Sequence, residues 1–149
     1  METGKFKRKN IVVAIIIIAL AGAGVVWYLF TEKFGDTNRE EANFTVTATA
    51  LINEFKKNDT AANKKYAEKI ITVTGIVTSI EPADTALNLK MADSTGSYVI
   101  FAFQQQHIAE AKTIRQGDRI SVKGSCSGGA YSEILETEFI TFKRCALNQ

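Results

Sequence analysis

Residues 69–80, KIITVTGIVTSI, are where the apolar spacing changes from helical to alternate, and their reading decides the fold. Ile71 and Val73 share one side of an extended chain, because side chains two apart lie on the same face. Beyond Gly75 the apolar positions become Ile76 and Ile80, which puts them in the opposite phase. A change of phase within one strand calls for a bulge or kink, and glycine tolerates it. The stretch therefore predicts a long first strand, bent at Gly75, that passes from one part of a small β-barrel to another.

Working downstream, residues 81–86 hold the only proline, Pro82, and predict a turn. Leu87, Leu89 and Met91 mark a second strand. Residues 93–96, DSTG, are a turn, and 97–103 are a third strand with Val99, Phe101 and Phe103 on one side. Residues 104–114, QQQHIAEAKTI, predict a helix, followed by a turn at 116–118. Ile120 and Val122 define a fourth strand over 119–124, and the small residues of 125–130 predict a loop. A last strand rich in Ile134, Phe139, Ile140 and Phe142 runs to Cys145. Upstream, Ala48, Leu51, Ile52 and Phe55 recur at helical spacing over 45–57, with Thr45 or Thr47 as cap. A second helix in TAANKKYAEK takes Asp59 as its cap and buries Ala62 and Tyr66. The class is mainly β (α+β): a five-stranded OB-fold-like barrel with preceding helices and a helix between its third and fourth strands.

Residues 11–30, IVVAIIIIALAGAGVVWYLF, contain no charge and as a helix span about 30 Å, the thickness of a bilayer's hydrocarbon core. Lys5, Lys7, Arg8 and Lys9 precede them and Glu32 follows, which predicts a cytoplasmic N-terminus and an extracytoplasmic remainder. Trp27 and Tyr28 fall at the outer end, where amphipathic rings favour the headgroup layer. A cleaved signal peptide with a site at Ala21-Gly22-Ala23 is the rival reading. The apolar run continues through Val25, Val26, Trp27, Leu29 and Phe30, so retention as an anchor explains more of the residues. Ala19, Gly22 and Ala23 would let two such helices approach closely and form a homo-oligomer, although small residues are also tolerated facing lipid. The expected organisation is a basic cytoplasmic flank at 1–10, a transmembrane helix at 11–30, a polar linker at 31–43 and one domain at 44–149. The flank is net +3, whereas residues 31–149 hold 14 Lys/Arg against 15 Asp/Glu, so the domain is nearly neutral.

From Lys64 to Cys145 the chain resembles the tRNA_anti-like family, OB-fold proteins that are small, exported and bacterial. The residues that carry the resemblance are AANKKYAEKIITVTGIV, the turn QGDRISVKGSCSG and a late Cys after an apolar strand. The family's name comes from a fold comparison with anticodon-binding domains, and the resemblance does not imply tRNA binding. Members are often lipoproteins or secreted; this chain departs from them in having a plain transmembrane anchor.

Cys126 and Cys145 are the only cysteines, and an oxidising extracytoplasmic space permits a disulfide between them. Two separate buried thiols are the plainer alternative. Zinc needs about four closely spaced ligands, which two cysteines and one distant histidine do not supply, so no metal or other cofactor is expected. His107, the sole histidine, has no Ser or Cys motif beside it and is expected on a solvated helix surface. Glu133, Glu136 and Glu138 suit a solvated strand edge. With no phosphate loop or triad motif, an enzyme is not expected. Lys56, Lys57, Lys64, Lys65 and Lys69 crowd the helix-to-strand junction, and an anionic partner is weighed there against an ordinary solvated surface. The usual OB binding surface predicts a ligand site around Leu89, Met91, Tyr98 and Phe101, with Lys64 and Lys65 nearby. The partner expected is an envelope protein, peptide or glycan. Single-stranded nucleic acid is the alternative, opposed by the near-zero domain charge and the extracytoplasmic side.

Overall fold

The computed structural model describes residues 8–31, 35–82 and 86–148, arranged as two compact units, Met1–Gly35 and Asp36–Gln149. Lys5 and Lys7 of the basic flank, and residues 83–85 of the expected turn, lie outside the described residues. The first unit is helix α1, Arg8–Thr31, in which Ile11–Tyr28 has a mean hydropathy of 2.6 and no buried residue. A helix apolar on every side is long and hydrophobic enough to cross a membrane.

The second unit opens with a 3-10 turn at Thr37–Arg39, so residues 36–43 of the expected linker belong to the domain. Then come β1 (Phe44–Thr47), α2 (Ala48–Lys57), α3 (Asp59–Tyr66), β2 (Ile70–Ile76), β3 (Ser79–Pro82), β4 (Leu87–Ala92) and β5 (Tyr98–Phe103). A 3-10 turn at Gln105–His107 leads into the single-turn α4 (Ile108–Ala111), followed by β6 (Arg119–Ser132) and β7 (Thr137–Leu147). All seven strands form one sheet in the order β1-β2-β6-β7-β5-β4-β3. β1 runs parallel to β2 and β5 parallel to β7; every other neighbour is antiparallel.

The architecture is mixed α+β and OB-like, but the five-stranded barrel is corrected to an open sheet of seven strands. Phe44–Thr47 is a strand that pairs with Ile71–Thr74 instead of a first helical turn. Thr47 then caps α2 by accepting from the Ala50 N–H at 3.2 Å, and Asn58 rather than Asp59 caps α3, accepting from the Ala61 N–H. The expected first strand is broken at Val77 and Thr78 and not at Gly75. β2 pairs with β6 while β3 pairs with β4, so this break carries the chain from one flank of the sheet to the other. The phase changes at that break and not at Gly75: Ile71, Val73 and Val77 are buried and Ile76 is 54% exposed, whereas beyond the break Ile80 stands opposite Leu89 and packs against the core. Gly75 serves a close approach, since a Cβ there would lie 2.7 Å from Met91 Sδ and 3.0 Å from Ala48 Cβ.

Residues 125–130, expected as a loop, continue β6, with register shifts against β7 between Lys123 and Ser125 and between Cys126 and Gly128. Ile134, expected inside the last strand, stands 93% exposed in the β6–β7 turn. The core lies between the inner face of the sheet and α2, with Leu51, Ile52, Phe55, Tyr66, Leu89, Met91, Phe101, Ile140 and Phe142 all buried. The Phe101 and Phe142 rings pack at 5.1 Å across the β5–β7 pair, a separation at which aromatic rings attract.

No disulfide is present: Cys126 and Cys145 are both free and buried. The two are not directly opposite each other in the register. Cys126 stands opposite Phe142 on β7, while Cys145 pairs across its other edge with Phe103. Burial pushes both thiols up from their ordinary range, Cys145 the further, so neither is a ready nucleophile. His107 is also corrected. It is 7% exposed and not on a solvated surface, because its Nε2 lies 2.7 Å from Asp36 Oδ1 and ties the domain's first residues to the segment after β5. The hydrogen bond from His107 holds the Asp36 carboxyl below its ordinary value, helped by the Asn38 N–H.

Candidate ligand-binding face

Alternation along β4, β5 and β7 divides their side chains between core and solvent. Leu89, Met91 and Phe101 are on the inner side and at most 1% exposed. These three residues expected to bind are therefore packed in the core, with Met91 also at the wall of a separate hollow beside Gly75 and Arg119. Tyr98 is on the outer side and half-buried, and of the four strand residues expected to bind it is the one on the solvent face.

Its neighbours follow from the pairing. Tyr98 is opposite Phe139 on β7, and Ile100 lies between Lys90 on β4 and Thr141 on β7. The Tyr98 and Phe139 rings stack at 6.4 Å with an interplanar angle of 26°. Lys90 Nζ sits 5.0 Å above the Tyr98 ring and 2.6 Å from Glu81 Oε1, so its charge is shared between a π-face and a carboxylate. Beside Phe139 is an open, shallow depression of about 350 Å³ lined by Asn63, Ser127, Gly128, Gly129, Ala130 and Thr141.

The depression has this shape because β6 is stripped of side chains there. Asn63 on α3 forks onto Gly129, donating to its carbonyl at 2.8 Å and accepting from its N–H at 2.9 Å. Gly128 adopts φ +103°, and a Cβ on it would sit 2.6 Å from Asn63 Oδ1. On the inner side, a Cβ at Gly129 would meet the Phe55 ring at 2.7 Å. Glycine is thus required on both counts, and its exposed backbone forms the floor.

Lys64 and Lys65 lie on α3, next to Asn63. Lys64 is exposed. Lys65 is committed to Glu54 at 2.9 Å and to the Tyr66 ring at 4.5 Å. Its bond lowers the Glu54 carboxyl, while burial raises the Tyr66 hydroxyl. These contacts make Lys65 a brace between α2 and α3. Among the described residues no cluster of His, Cys, Asp and Glu has a metal-binding arrangement. Phe139 is the residue that sequence reasoning passed over. The signal was available in its strand: with Ile140 and Phe142 fixing the inner phase, an aromatic at 139 falls on the outside, level with Tyr98.

No curated protein matches the sequence. Among solved structures, the chain resembles a Klebsiella pneumoniae lipoprotein named as a candidate nucleic acid-binding protein. The TM-score is 0.55 at 16% identity, over 70% of this chain and 91% of that one, which supports a shared fold. It also resembles part of a candidate aspartyl-tRNA synthetase from Leishmania major, with TM-score 0.46 at 8% identity, covering 72% of this chain and 21% of the synthetase. A component of the S. pombe Stn1-ten1 complex matches with TM-score 0.37 at 13% identity, over 54% of this chain and 58% of that one. The last two are too distant to bear on the fold. The family model for tRNA_anti-like proteins matches residues 1–137, more of the chain than the motifs alone span, and the protein belongs to the tRNA_anti-like family.

Proposed function

We propose that this protein is a non-catalytic binding module, anchored in a bacterial inner membrane by α1 with its N-terminus in the cytoplasm. In this reading the OB-like domain is extracytoplasmic and takes a glycan or peptide of an envelope component on the outer face of β4, β5 and β7. The observation that carries the reading is the stacked Tyr98–Phe139 pair on the solvent side of the sheet, next to the glycine-floored depression. Flat aromatic surfaces bury apolar ligand faces at low entropic cost, and Ser127 and Thr141 supply hydroxyl groups around them. Charge supports an uncharged ligand: Lys90 is offset by Glu81, and residues 31–149 are nearly neutral. The basic residues before α1 and the acidic ones after it support the orientation.

A second reading, single-stranded nucleic acid on the same face, is favoured by one specific feature. Lys90 over Tyr98 pairs a cation with a stacking ring, the combination that single-strand-binding OB-folds use, and the Klebsiella protein's name points the same way. The two readings part on salt. Full-length protein in detergent is probed on glycan and peptide arrays and titrated with a single-stranded oligonucleotide at several salt concentrations. We expect array binding that changes little with salt and is lost in a Tyr98→Ala/Phe139→Ala double variant. Oligonucleotide binding that falls steeply with salt transfers the function to the second reading. Binding of either kind that survives the double variant removes this face from the function.

A further inference from the structure

A second hollow, of about 530 Å³, lies where the β4–β5 turn, the β6–β7 hairpin and α2 meet, and it is lined by Lys56, Thr95, Ser97, Tyr131, Glu136 and Glu138. Glu138, on the inner side of β7 near its start, is 6% exposed. Its backbone N–H donates to Ser97 Oγ at 3.1 Å, which fixes the residue in place. Its carboxylate Oε2 is buried without a hydrogen-bond partner. An unpartnered buried carboxylate oxygen is costly, and such a group in a cavity wall is completed by a donor from outside the fold.

The cation already in the hollow does not complete it. Lys56 Nζ is bonded to Asp93 Oδ2 and Thr95 Oγ1, so two of its three donors are taken by the β4–β5 turn, and it makes no hydrogen bond to Glu138 Oε2. The Asp93 carboxyl, which burial alone would raise, is held below its ordinary value by those bonds and is ionised. Glu136 adds another acid to the lining, and Asp59 on α3 acts on Glu138 with the same sign. The local balance is therefore negative. Tyr131, 51% exposed, presents its ring at the wall.

We propose that this hollow binds an organic cation, an alkylammonium or guanidinium group that enters past the Tyr131 ring and donates to Glu138 Oε2. The carboxylate supplies the ion pair and the ring supplies a π-face for the same charge. Such a group belongs either to a free small amine or to a Lys or Arg side chain of a peptide. The site is separate from the Tyr98–Phe139 face: Ser97 and Glu138 precede those two residues in sequence and so point to the opposite side of the sheet.

Calorimetric titration of the full-length protein in detergent with cadaverine, with the peptide Gly-Lys-Gly and with uncharged 1,5-pentanediol tests the proposal. Cadaverine or Gly-Lys-Gly is expected to bind at neutral pH and pentanediol is not. Tighter binding of the peptide assigns the source to a side chain; tighter binding of cadaverine assigns it to a free amine. Glu138→Gln keeps the shape and removes the charge, and is expected to weaken binding roughly tenfold or more. Tyr131→Ala, at a solvent-facing position, is expected to weaken it less. In the wild type, burial and the Asp59 charge raise the Glu138 pKa, with Lys56 opposing them. Cation binding should therefore fade on acidification already above the ordinary carboxylate range, because the protonated acid no longer attracts the ligand. Absence of binding by both cations, equal binding by pentanediol, or affinity unchanged in a folded Glu138→Gln variant overturns the proposal. Should that variant not fold, a flat wild-type pH profile or unchanged affinity in Tyr131→Ala overturns it.

Discussion

Asp36 and His107 show how one contact links the domain's entry to its interior. The 2.7 Å contact between His107 Nε2 and Asp36 Oδ1 spans 71 residues of sequence, and Thr37 beside it is fully buried. Lys123 on β6 reinforces the same turn by donating to the carbonyls of Asn38 and Glu40 at 3.3 and 3.1 Å. Because His107 and the Asn38 N–H hold Asp36 below its ordinary value, the ionised carboxylate is favoured by folding. The sign follows. The unfolded chain binds more protons than the native one between the two pKa values, so this contribution is complete above the unfolded value and is lost as pH falls through the folded one. Thermal melts of wild type and Asp36→Asn from neutral pH down to about 3 should therefore differ most at neutral pH, with the wild type the more stable, and converge on acidification. A constant gap between the two curves would show that Asp36 acts through packing and not through its charge.

At the scale of elements, the attachment of α3 to β6 rests on the Asn63 fork onto the Gly129 backbone. Asn63→Ala removes both bonds and strands a partly buried N–H and C=O, which costs about 1–3 kcal/mol. Urea unfolding should show a lower midpoint with an unchanged slope, and Asn63→Asp, which keeps only the acceptor, should fall between. A wild-type midpoint in Asn63→Ala would mean that α3 is held by its other contacts, the buried Ala62 and Tyr66 and the Lys65–Glu54 brace. The same junction explains what local sequence conceals. Alternation exposed β4 and β5 because Leu89, Met91, Val99, Phe101 and Phe103 obey it without interruption, and α2 was legible from Leu51, Ile52 and Phe55. β6 was legible only as far as Gly124. Ser125 to Ala130 have the composition of a loop, but Gly128 and Gly129 among them are glycine because Asn63 and Phe55 press on the strand from α3 and α2. That cause is tertiary and leaves no local periodic trace. β1 was hidden differently, since four residues of strand run straight into a helix whose own spacing absorbs them. Of the residues expected at the candidate face, Tyr98 turns outward, while Leu89, Met91 and Phe101 were drawn in by neighbourhood in sequence although alternation turns them to the core.

For the molecule as a whole, the consequential division is between an apolar helix and a nearly neutral domain that carries its own core. α1 has no inner and outer side, and the Ile11–Tyr28 window leaves all its residues exposed, a surface for which lipid is the matching solvent. Among the described residues, the domain's buried core cluster is built from members at or after Ala48. Function on a membrane surface would then depend on α1 only for location. In cells expressing the full chain, we expect the protein to sediment with membranes, to resist alkaline and high-salt washing, and to dissolve in detergent. In spheroplasts the domain should be digested by added protease while the basic N-terminal flank is protected. Ile16→Lys together with Ile17→Lys places two charges at the centre of the span, each costing about 2.5–3.5 kcal/mol in a bilayer, and should shift the protein out of the membrane fraction. Mass spectrometry of the mature chain decides between the two uses of such a helix: an intact N-terminal region means an anchor, and a chain beginning after Ala23 means a signal sequence. A domain protected from outside protease would reverse the orientation and return single-stranded nucleic acid, abundant in the cytoplasm, to the front of the candidate ligands.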